Sequence, residues 1–253
     1  MIETMTKGKV KIVKLNRQPT NALDLCFLNK IYDCILKTEK EKDIYSVVLA
    51  SKTKSAFSSG LDLKSLITID KKHIPKNIIK AVRLVYRIIK LIINSKKIYV
   101  ASLNGPVIGS AVSIAMACDF RFATTLTWFW LPDPQYGGLL ADGGIDLIKS
   151  ISGISNAKKI CMVNDRIDIK TAKKIGLIHG IVEKDIVDDF SNCFASNLTL
   201  NCYSTLQNTK TIINHGVLKN FHFFKLLKVV YSKEMLERLE KYNLHGGKNE
   251  FSK

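Results

Sequence analysis

Apolar and polar residues recur along this chain with two periods, one typical of strands and one typical of helices. Alternating apolar and basic residues predict a half-exposed strand at residues 8–15, and short, mainly apolar runs predict strands at residues 45–50, 99–103, 119–123 and 180–182. Apolar residues three and four positions apart predict helices at residues 23–38, 75–94, 110–117, 143–150, 155–163 and 169–175. Beyond residue 186 the pattern is mainly helical, and residues 217–242 form the clearest run.

This order of elements predicts the fold class. Strands and helices mix over the first two-thirds of the chain, and helices alone follow. The sequence therefore predicts an α/β core at about residues 1–190 and a C-terminal helical region at residues 191–253. With 253 residues, the chain is long enough to bury a full hydrophobic core.

Composition narrows the class of protein further. No segment is long and apolar enough to span a membrane, so we expect no membrane partner. No signal core or basic presequence begins the chain, so a cytoplasmic location is the default expectation, with a mitochondrial or peroxisomal one left open. Six cysteines form no CxxC pair and no metal-ligand spacing with histidine, which predicts reduced thiols and no metal site.

The net charge of +17 is the unusual part of the composition. Such an excess of Lys and Arg raises the local concentration of anions, whether nucleic acid, acidic lipid or a phosphorylated cofactor. The lysines are scattered along the chain, so the charge alone carries little weight as an argument for nucleic-acid binding.

Two turns each join an apolar strand-like run to a helix-like run. The first reads FSSGLDL at residues 57–63, and the second reads NGPVIGSA at residues 104–111. Backbone N–H groups at the start of a helix have no partner within that helix. Both turns are therefore places where a developing negative oxygen could be held.

Several fragments together resemble the enoyl-CoA hydratase/isomerase (crotonase) superfamily. They are LNRQPTNAL at residues 15–23, the two turns, the continuation of the second turn to CD at residues 118–119, and residues 164–178. They follow the order and spacing of that family over about residues 8–182. The resemblance implies a crotonase-like spiral of ββα units, assembled as a homotrimer or hexamer, with oligomerisation through the C-terminal helical region.

The same resemblance implies a ligand and a way to hold it. The ligand is an acyl-CoA substrate, with coenzyme A as part of the substrate and no separate cofactor. The backbone N–H groups of Leu61 and Ser110 would form the oxyanion hole, although Gly109-Ser110-Ala111 replaces the GGG of the family. Arg17, Ser59 and Lys64 are the candidate contacts for CoA, with a solvated surface role as the alternative for the two basic residues.

The acids of the family are only partly present. The first glutamate of its hydratases corresponds to Ser113, and the second corresponds to Asp133, so hydration by two acids is not expected. An isomerase needs one carboxylate, and the family places it at the position of Asp133 or of Asp142. We rank Asp142 first as the catalytic acid, with helix capping as an equal alternative, and Asp133 second, with a turn role as its alternative.

The leading hypothesis is therefore an isomerase of fatty acid metabolism that shifts a double bond in a fatty enoyl-CoA. The missing glutamates motivate a second hypothesis, a catalytically silent acyl-CoA-binding relative. A third is RNA binding, since one family member binds AU-rich RNA through a lysine-rich helix. The candidate lysines for that role lie on or just after the first helix: Lys30, Lys37, Lys40 and Lys42.

Overall fold

The computed structural model describes residues 1–67, 73–218 and 221–244. Its strands are β1 (Ile2–Lys7), β2 (Val10–Leu15), β3 (Ser46–Ser51), β4 (Ile98–Leu103), β5 (Val107–Ile108), β6 (Phe120–Thr124), β7 (Phe129–Trp130) and β8 (Gly180–Val182). Its helices are α1 (Leu25–Lys40), α2 (Leu63–Leu66), α3 (Ile74–Asn94), α4 (Ser110–Ala117), α5 (Gly144–Met162), α6 (Ile169–Lys174), α7 (Val187–Leu198), α8 (Tyr203–Asn214), α9 (Phe223–Val230) and α10 (Lys233–Leu244). Single turns of 3-10 helix cover Asp133–Tyr136 and Lys184–Ile186.

The long sheet has the strand order β1-β2-β3-β4-β6-β8, with β1 antiparallel to β2 and the other neighbours parallel. The short sheet pairs β5 with β7, and a bridge joins Ser58 to Val107 beside it. In successive repeats of the spiral, one strand lies in the long sheet and one short segment lies in the second sheet. This arrangement confirms the predicted crotonase-like α/β fold.

Helices cover both faces of the long sheet. Side chains such as Val13 and Leu49 join α1 and α3 in the main hydrophobic core. Side chains on the other face, such as Ile12 and Val48, form a smaller core that includes Val187 of α7. Strands β3 and β4 are buried along their whole length, which explains why they read as continuous apolar runs in the sequence.

Most predicted elements are confirmed to within two residues. The differences are the run at residues 217–242 and the elements that were not predicted, which are β1, β5, β7 and α2. Strand β1 was not predicted, because its Ile2–Lys7 sequence mixes polar and apolar residues and five of its six positions are exposed. The two helices predicted between residues 143 and 163 are confirmed as the two segments of α5, which are separated by the non-helical backbone of Gly153 (φ +79°, ψ 166°).

The prediction of one continuous helical run at residues 217–242 is wrong, because this part of the chain does not form a single helix. Helices α9 and α10 are separate, because Ser232 lies between them and its Oγ accepts a hydrogen bond from the N–H of Met235. This hydroxyl satisfies a backbone donor at the start of α10, which allows a new helix to begin in a new direction. Residues 219–220 of the predicted run lie outside the described residues.

The C-terminal helices pack on the core. Lys210 of α8 is buried, and its Nζ donates to Asp119 Oδ2 at 2.7 Å and to the carbonyl oxygens of Ile92 and Lys97. The predicted boundary between residues 190 and 191 falls within α7. Residues 245–253 of the predicted C-terminal region lie outside the described residues. An oligomerisation role for this region stays a prediction. None of the helices in the described ranges combines the length and apolarity needed to cross a membrane.

Candidate active site

The two turns singled out in the sequence lie side by side. The N–H of Ile108 donates to the carbonyl of Ser58 at 3.0 Å, and a Cβ on Gly60 would lie 2.5 Å from the Ile108 carbonyl oxygen. Gly60 has a φ of +76°, and Gly109 has a φ of +55°. Glycine is therefore required at residue 60 both by its backbone conformation and by the close approach of the second turn.

Both predicted oxyanion donors are free. Within the described residues, the N–H groups of Leu61 and Ser110 have no hydrogen-bond partner, whereas the N–H of Gly109 donates to Trp130 O at 2.8 Å. Of the three residues that replace the family's GGG, Gly109 alone has a positive φ, and Ser110 and Ala111 begin α4. The side chains of Ser110 and Ala111 are thus compatible with a free N–H at the start of this helix.

A cavity of about 280 Å³ adjoins these donors. Leu61 and Ser110 line it, together with Asp133 and Asp62. Much of the remaining wall is apolar and comes from α3, β7 and the C-terminal helices: Ile78, Val82, Trp130, Leu226, Val230, Met235 and Leu239. An apolar cavity with a few polar groups is typical of a site for a small ligand or for part of a larger one.

Asp133 lines this cavity, and one oxygen of its carboxyl group is buried. It begins the 3-10 turn after β7, and its Oδ2 is buried without a hydrogen-bond partner among the described residues. Burial, and then the nearby carboxylate of Asp142, raise the pKa of Asp133 to about 7. A carboxyl group with this pKa can exchange a proton near neutral pH.

Asp142 lies behind the cavity wall and is not among the residues that line the cavity. Its residue surface is 1% exposed, and its Oδ1 accepts from Ser113 Oγ at 2.9 Å and from the N–H of Gly144 at 3.0 Å. The N-cap of α5 is Gly143, so Asp142 is not the N-cap residue that the sequence left open, although it accepts from the N–H of the first residue of α5. Burial raises the pKa of Asp142, although these donors act in the opposite direction.

Cys161 is a neighbour of the two acids that the sequence did not single out. Burial, and then the negative charges of Asp133 and Asp142, raise the pKa of its thiol to about 11. The charges of both acids thus act on this thiol, and the charge of Asp142 also acts on Asp133. The sequence contained no signal for this grouping, because Cys161 is distant from both acids along the chain and reads as a helical core residue.

The three candidate CoA contacts lie in different environments. Arg17 forms ion pairs with Asp24 at 3.0 Å and with Asp62 at 2.8 Å, so its charge is already compensated within the protein. Ser59 lines the cavity and shares a hydrogen bond with Thr20. Lys64 is exposed and also lines the cavity. A contact of any of them with CoA stays a prediction.

The C-terminal helices supply cavity walls that the sequence analysis did not assign to a site. Met235, Leu239 and Tyr242 of α10 line the cavity at helical spacing, and the ring of Tyr242 packs edge-on against Tyr136 with centroids 5.2 Å apart. The apolar stripe of α10 was the available signal. Among the described residues, no group of three or more His, Cys, Asp or Glu side chains could hold a metal ion.

The fold and the site together define a class of protein, an α/β spiral that places two unpaired backbone N–H groups and a buried carboxyl group around one cavity. A family model described as enoyl-CoA hydratase/isomerase matches residues 5–222, and the chain belongs to this family. Members of the family act on acyl-CoA thioesters. The resemblance found in the sequence to the crotonase superfamily is confirmed.

Individual relatives are distant but similar over most of their length. The chain is 26% identical to the putative enoyl-CoA hydratase/isomerase YngF of Bacillus subtilis over 215 residues, which are 85% of this chain and 81% of that protein. It is also 26% identical to the short-chain-enoyl-CoA hydratase of Clostridium acetobutylicum over 212 residues, with coverages of 83% and 80%. The crystal structure of enoyl-CoA hydratase from Bacillus halodurans has the same fold, with a TM-score of 0.85 at 20% identity over 95% of this chain and 99% of that one.

Proposed function

We propose that this protein is an enoyl-CoA isomerase that shifts a double bond in an acyl-CoA thioester, with Asp133 as the single acid/base. The observation that carries the proposal is the position of Asp133 on the same cavity as the free N–H groups of Leu61 and Ser110. The sequence ranked Asp142 first. We now favour Asp133, because Asp142 does not line the cavity and its Oδ1 is engaged by Ser113 and Gly144.

The proposed reaction begins with the thioester oxygen between the N–H groups of Leu61 and Ser110. The ionised carboxylate of Asp133 takes a proton from the α carbon of a 3-enoyl thioester, and the electron pair of that C–H bond delocalises onto the oxygen as a dienolate. The two N–H groups stabilise this negative charge. Asp133 then returns the proton to the γ carbon, which leaves the double bond conjugated with the thioester and restores the carboxylate.

The residue at position 113 supports chemistry with one base. A serine stands there, and its hydroxyl donates to Asp142, so no carboxylate is contributed from that turn of α4. Hydration needs a water molecule to be both positioned and activated, whereas moving one proton between two carbons requires one carboxylate.

The direct test follows conjugation in a spectrophotometer. Purified protein incubated with a 3-enoyl-CoA should produce the absorbance of a 2-enoyl thioester, and the Asp133→Asn variant should lose about 100-fold or more of this rate. Undiminished turnover in Asp133→Asn would remove Asp133 from the role of base. Tight CoA binding with no turnover of 3-enoyl-CoA or 2-enoyl-CoA would instead favour a catalytically silent acyl-CoA-binding protein.

Hydration is a second candidate function, and one observation favours it. The negative charge of Asp142 contributes to the raised pKa of Asp133, so a second acid lies near the first, although it does not itself line the cavity. The same spectrophotometer distinguishes the two reactions, because hydration of a 2-enoyl-CoA removes the conjugated absorbance that isomerisation creates. Loss of this absorbance at a rate that depends on both acids would establish the hydratase.

A further inference from the structure

Helix α3 carries a straight row of positive charges on its outer surface. Five exposed basic residues follow one another at intervals of four and three positions: Lys76, Lys80, Arg83, Arg87 and Lys90. At 100° and 1.5 Å per residue they occupy a band about 80° wide and about 21 Å long. The helix contains no acidic residue, so nothing on α3 itself offsets these charges.

These cations are available to an external partner. Among the described residues, none of the five forms an ion pair. Arg87 is held over the ring of Tyr32 at 4.2 Å and donates to its hydroxyl, and Arg83 lies 5.2 Å from the ring centre of Phe223. These aromatic contacts fix the two guanidinium groups and leave their charge uncompensated.

A second basic segment lies beside the row. Helix α9 packs on α3, and it also contains no acidic residue. Its Lys225 and Lys228 are exposed, and Phe224, which precedes Lys225 directly, is 79% exposed. By contrast, the lysines of α1 considered for RNA binding are interspersed with Asp33 and Glu39 on the same helix.

We propose that the basic face formed by α3 and α9 docks on an anionic lipid bilayer. Two neighbouring helices present a patch several residues wide, which fits a planar array of headgroups better than the single line of phosphates in a nucleic-acid strand. The exposed ring of Phe224 beside lysines is a combination that favours the boundary between headgroups and acyl chains. The sequence predicts no membrane partner because it has no spanning segment, and peripheral docking does not require one.

The position of the cavity fits this docking mode. Ile78 and Val82 on the inner side of α3, and Leu226 and Val230 on the inner side of α9, line the cavity described above. The helices that would contact the bilayer are thus the helices that enclose the apolar site. This inference does not depend on which reaction the site performs, because membrane binding can be measured without turnover.

The test is co-sedimentation of the full chain with lipid vesicles. At about 0.1 M salt the protein should sediment with phosphatidylcholine vesicles that contain about 30% phosphatidylserine, should stay in solution with pure phosphatidylcholine, and should be released at about 0.5 M salt. The variant Lys76→Gln/Lys80→Gln/Lys90→Gln retains both aromatic-bound arginines. It should partition about 100-fold more weakly, since each lysine near such a surface contributes about fivefold.

The matched control is Lys158→Gln/Lys170→Gln/Lys174→Gln, which removes the same charge from exposed positions on α5 and α6. It should bind the vesicles like the wild type, which would show that position matters and net charge does not. Equal loss in both triple variants, or equal binding to charged and neutral vesicles, would overturn the proposal. Retention of a single-stranded RNA through the α3 lysines without any vesicle binding would also overturn it.

Discussion

Two aspartates nine positions apart differ in the hydrogen bonds of their carboxyl groups and in their position relative to the cavity. Asp142 is held by the hydroxyl of Ser113 and the N–H of Gly144, so its orientation is fixed within the protein. Each acid also has one oxygen, Oδ2, that is buried without a hydrogen-bond partner among the described residues, and of the two acids Asp133 is the one that lines the cavity. A carboxylate that raises the pKa of a neighbouring carboxyl group is a recurring arrangement in acid/base sites.

The pH dependence of turnover should distinguish the two carboxyl groups. In the wild type, kcat/KM should rise with pH as Asp133 ionises, with an apparent pKa of about 7. In Asp142→Asn the rise should occur at lower pH, because the neighbouring charge that raises the pKa of Asp133 is gone. The measurement is kcat/KM for a 3-enoyl-CoA from about pH 5 to 9 for both proteins.

The companion variant for this profile is Asp133→Asn, which should be nearly inactive across the whole range. If Asp142→Asn were inactive at every pH and Asp133→Asn retained a normal profile, the roles of the two acids would have to be exchanged. The catalytic ranking made from the sequence would then be restored.

Asp133 should also make stability depend on pH in the absence of substrate. Its pKa is about 7 in the folded protein against 3.8 in the unfolded chain, so the folded state binds the proton more tightly and stability falls as pH rises from about 4 to 7. Asp133→Asn has no carboxyl group at this position, so its stability does not fall with pH for this reason. Its stability advantage over the wild type should be about 2–3 kcal/mol larger at pH 8 than at pH 5, measured by urea unfolding.

An exposed carboxyl group provides the control for this comparison. Asp165→Asn changes the same chemical group at an exposed position, so its difference from the wild type should be nearly the same at both pH values. An advantage of Asp133→Asn that does not change with pH would mean that the Asp133 carboxyl group is not held in an environment that opposes its charge.

At the scale of single residues, the motifs of the sequence named four candidates for one site and could not rank the two acids among them. The motif positions gave Leu61, Ser110, Asp133 and Asp142, and all four lie in or next to one site. The ranking depended on which acid borders the cavity, and that is decided by the 3-10 turn at Asp133–Tyr136 and by hydrogen bonds between residues far apart in sequence. No local pattern encodes either feature.

At the scale of elements, the site depends on how closely the two turns approach each other. Gly60 is at the contact, where its left-handed backbone brings the Cα next to the carbonyl of Ile108. The N–H of Leu61 follows directly, so the direction of this donor is coupled to the conformation of Gly60. The turn is further held by hydrogen bonds from Leu23 N–H to Gly60 O and from Asp62 N–H to Leu23 O.

Gly60→Ala should therefore lose more stability and activity than backbone strain alone explains. Its new Cβ would lie 2.5 Å from the backbone oxygen of Ile108, so one of the two turns must move. This movement should cost about 1–3 kcal/mol of folding stability in addition to the strain of a positive φ. It should also misalign the N–H donor of Leu61. Gly216→Ala is the matched control, because Gly216 has a φ of +74° and a Cβ added there would meet nothing within 4 Å. Urea unfolding and turnover of a 3-enoyl-CoA measure the difference, and equal effects in the two variants would contradict this expectation.

The elements that the sequence predicted well share one property. Helices α3 and α4 and strands β3 and β4 are shaped by burial, and burial produces the apolar periodicity from which they were predicted. The main misses occur where the apolar pattern does not mark an element or its end. Strand β1 is an exposed edge, and the break between α9 and α10 depends on one serine within a continuing apolar pattern.

At the scale of the whole molecule, the last described helix closes the site made by the first two-thirds of the chain. Arg238 of α10 donates to the carbonyl of Gln135, and Tyr242 packs against Tyr136. The backbone of Met235 is so near Gly137 that a Cβ on that glycine would lie 3.0 Å from its Cα. Helix α10 therefore supports the short turn that carries Asp133, besides lining the cavity.

This arrangement predicts that α10 sets the size of the acyl group that the cavity accepts. Leu239 is 1% exposed and lines the cavity, so Leu239→Ala should enlarge the cavity. This variant should raise kcat/KM for longer acyl chains relative to shorter ones. It should also lower the free energy of unfolding by about 2–5 kcal/mol. Leu244→Ala on the same helix removes an equal side chain that is 83% exposed, and it should leave both chain-length preference and stability close to those of the wild type. Turnover of a series of 3-enoyl-CoA substrates of increasing length measures the preference, and urea unfolding measures the cost. If Leu239→Ala lost stability and its relative rates across the series stayed as in the wild type, α10 would be a support for the Asp133 turn without a role in selecting the substrate.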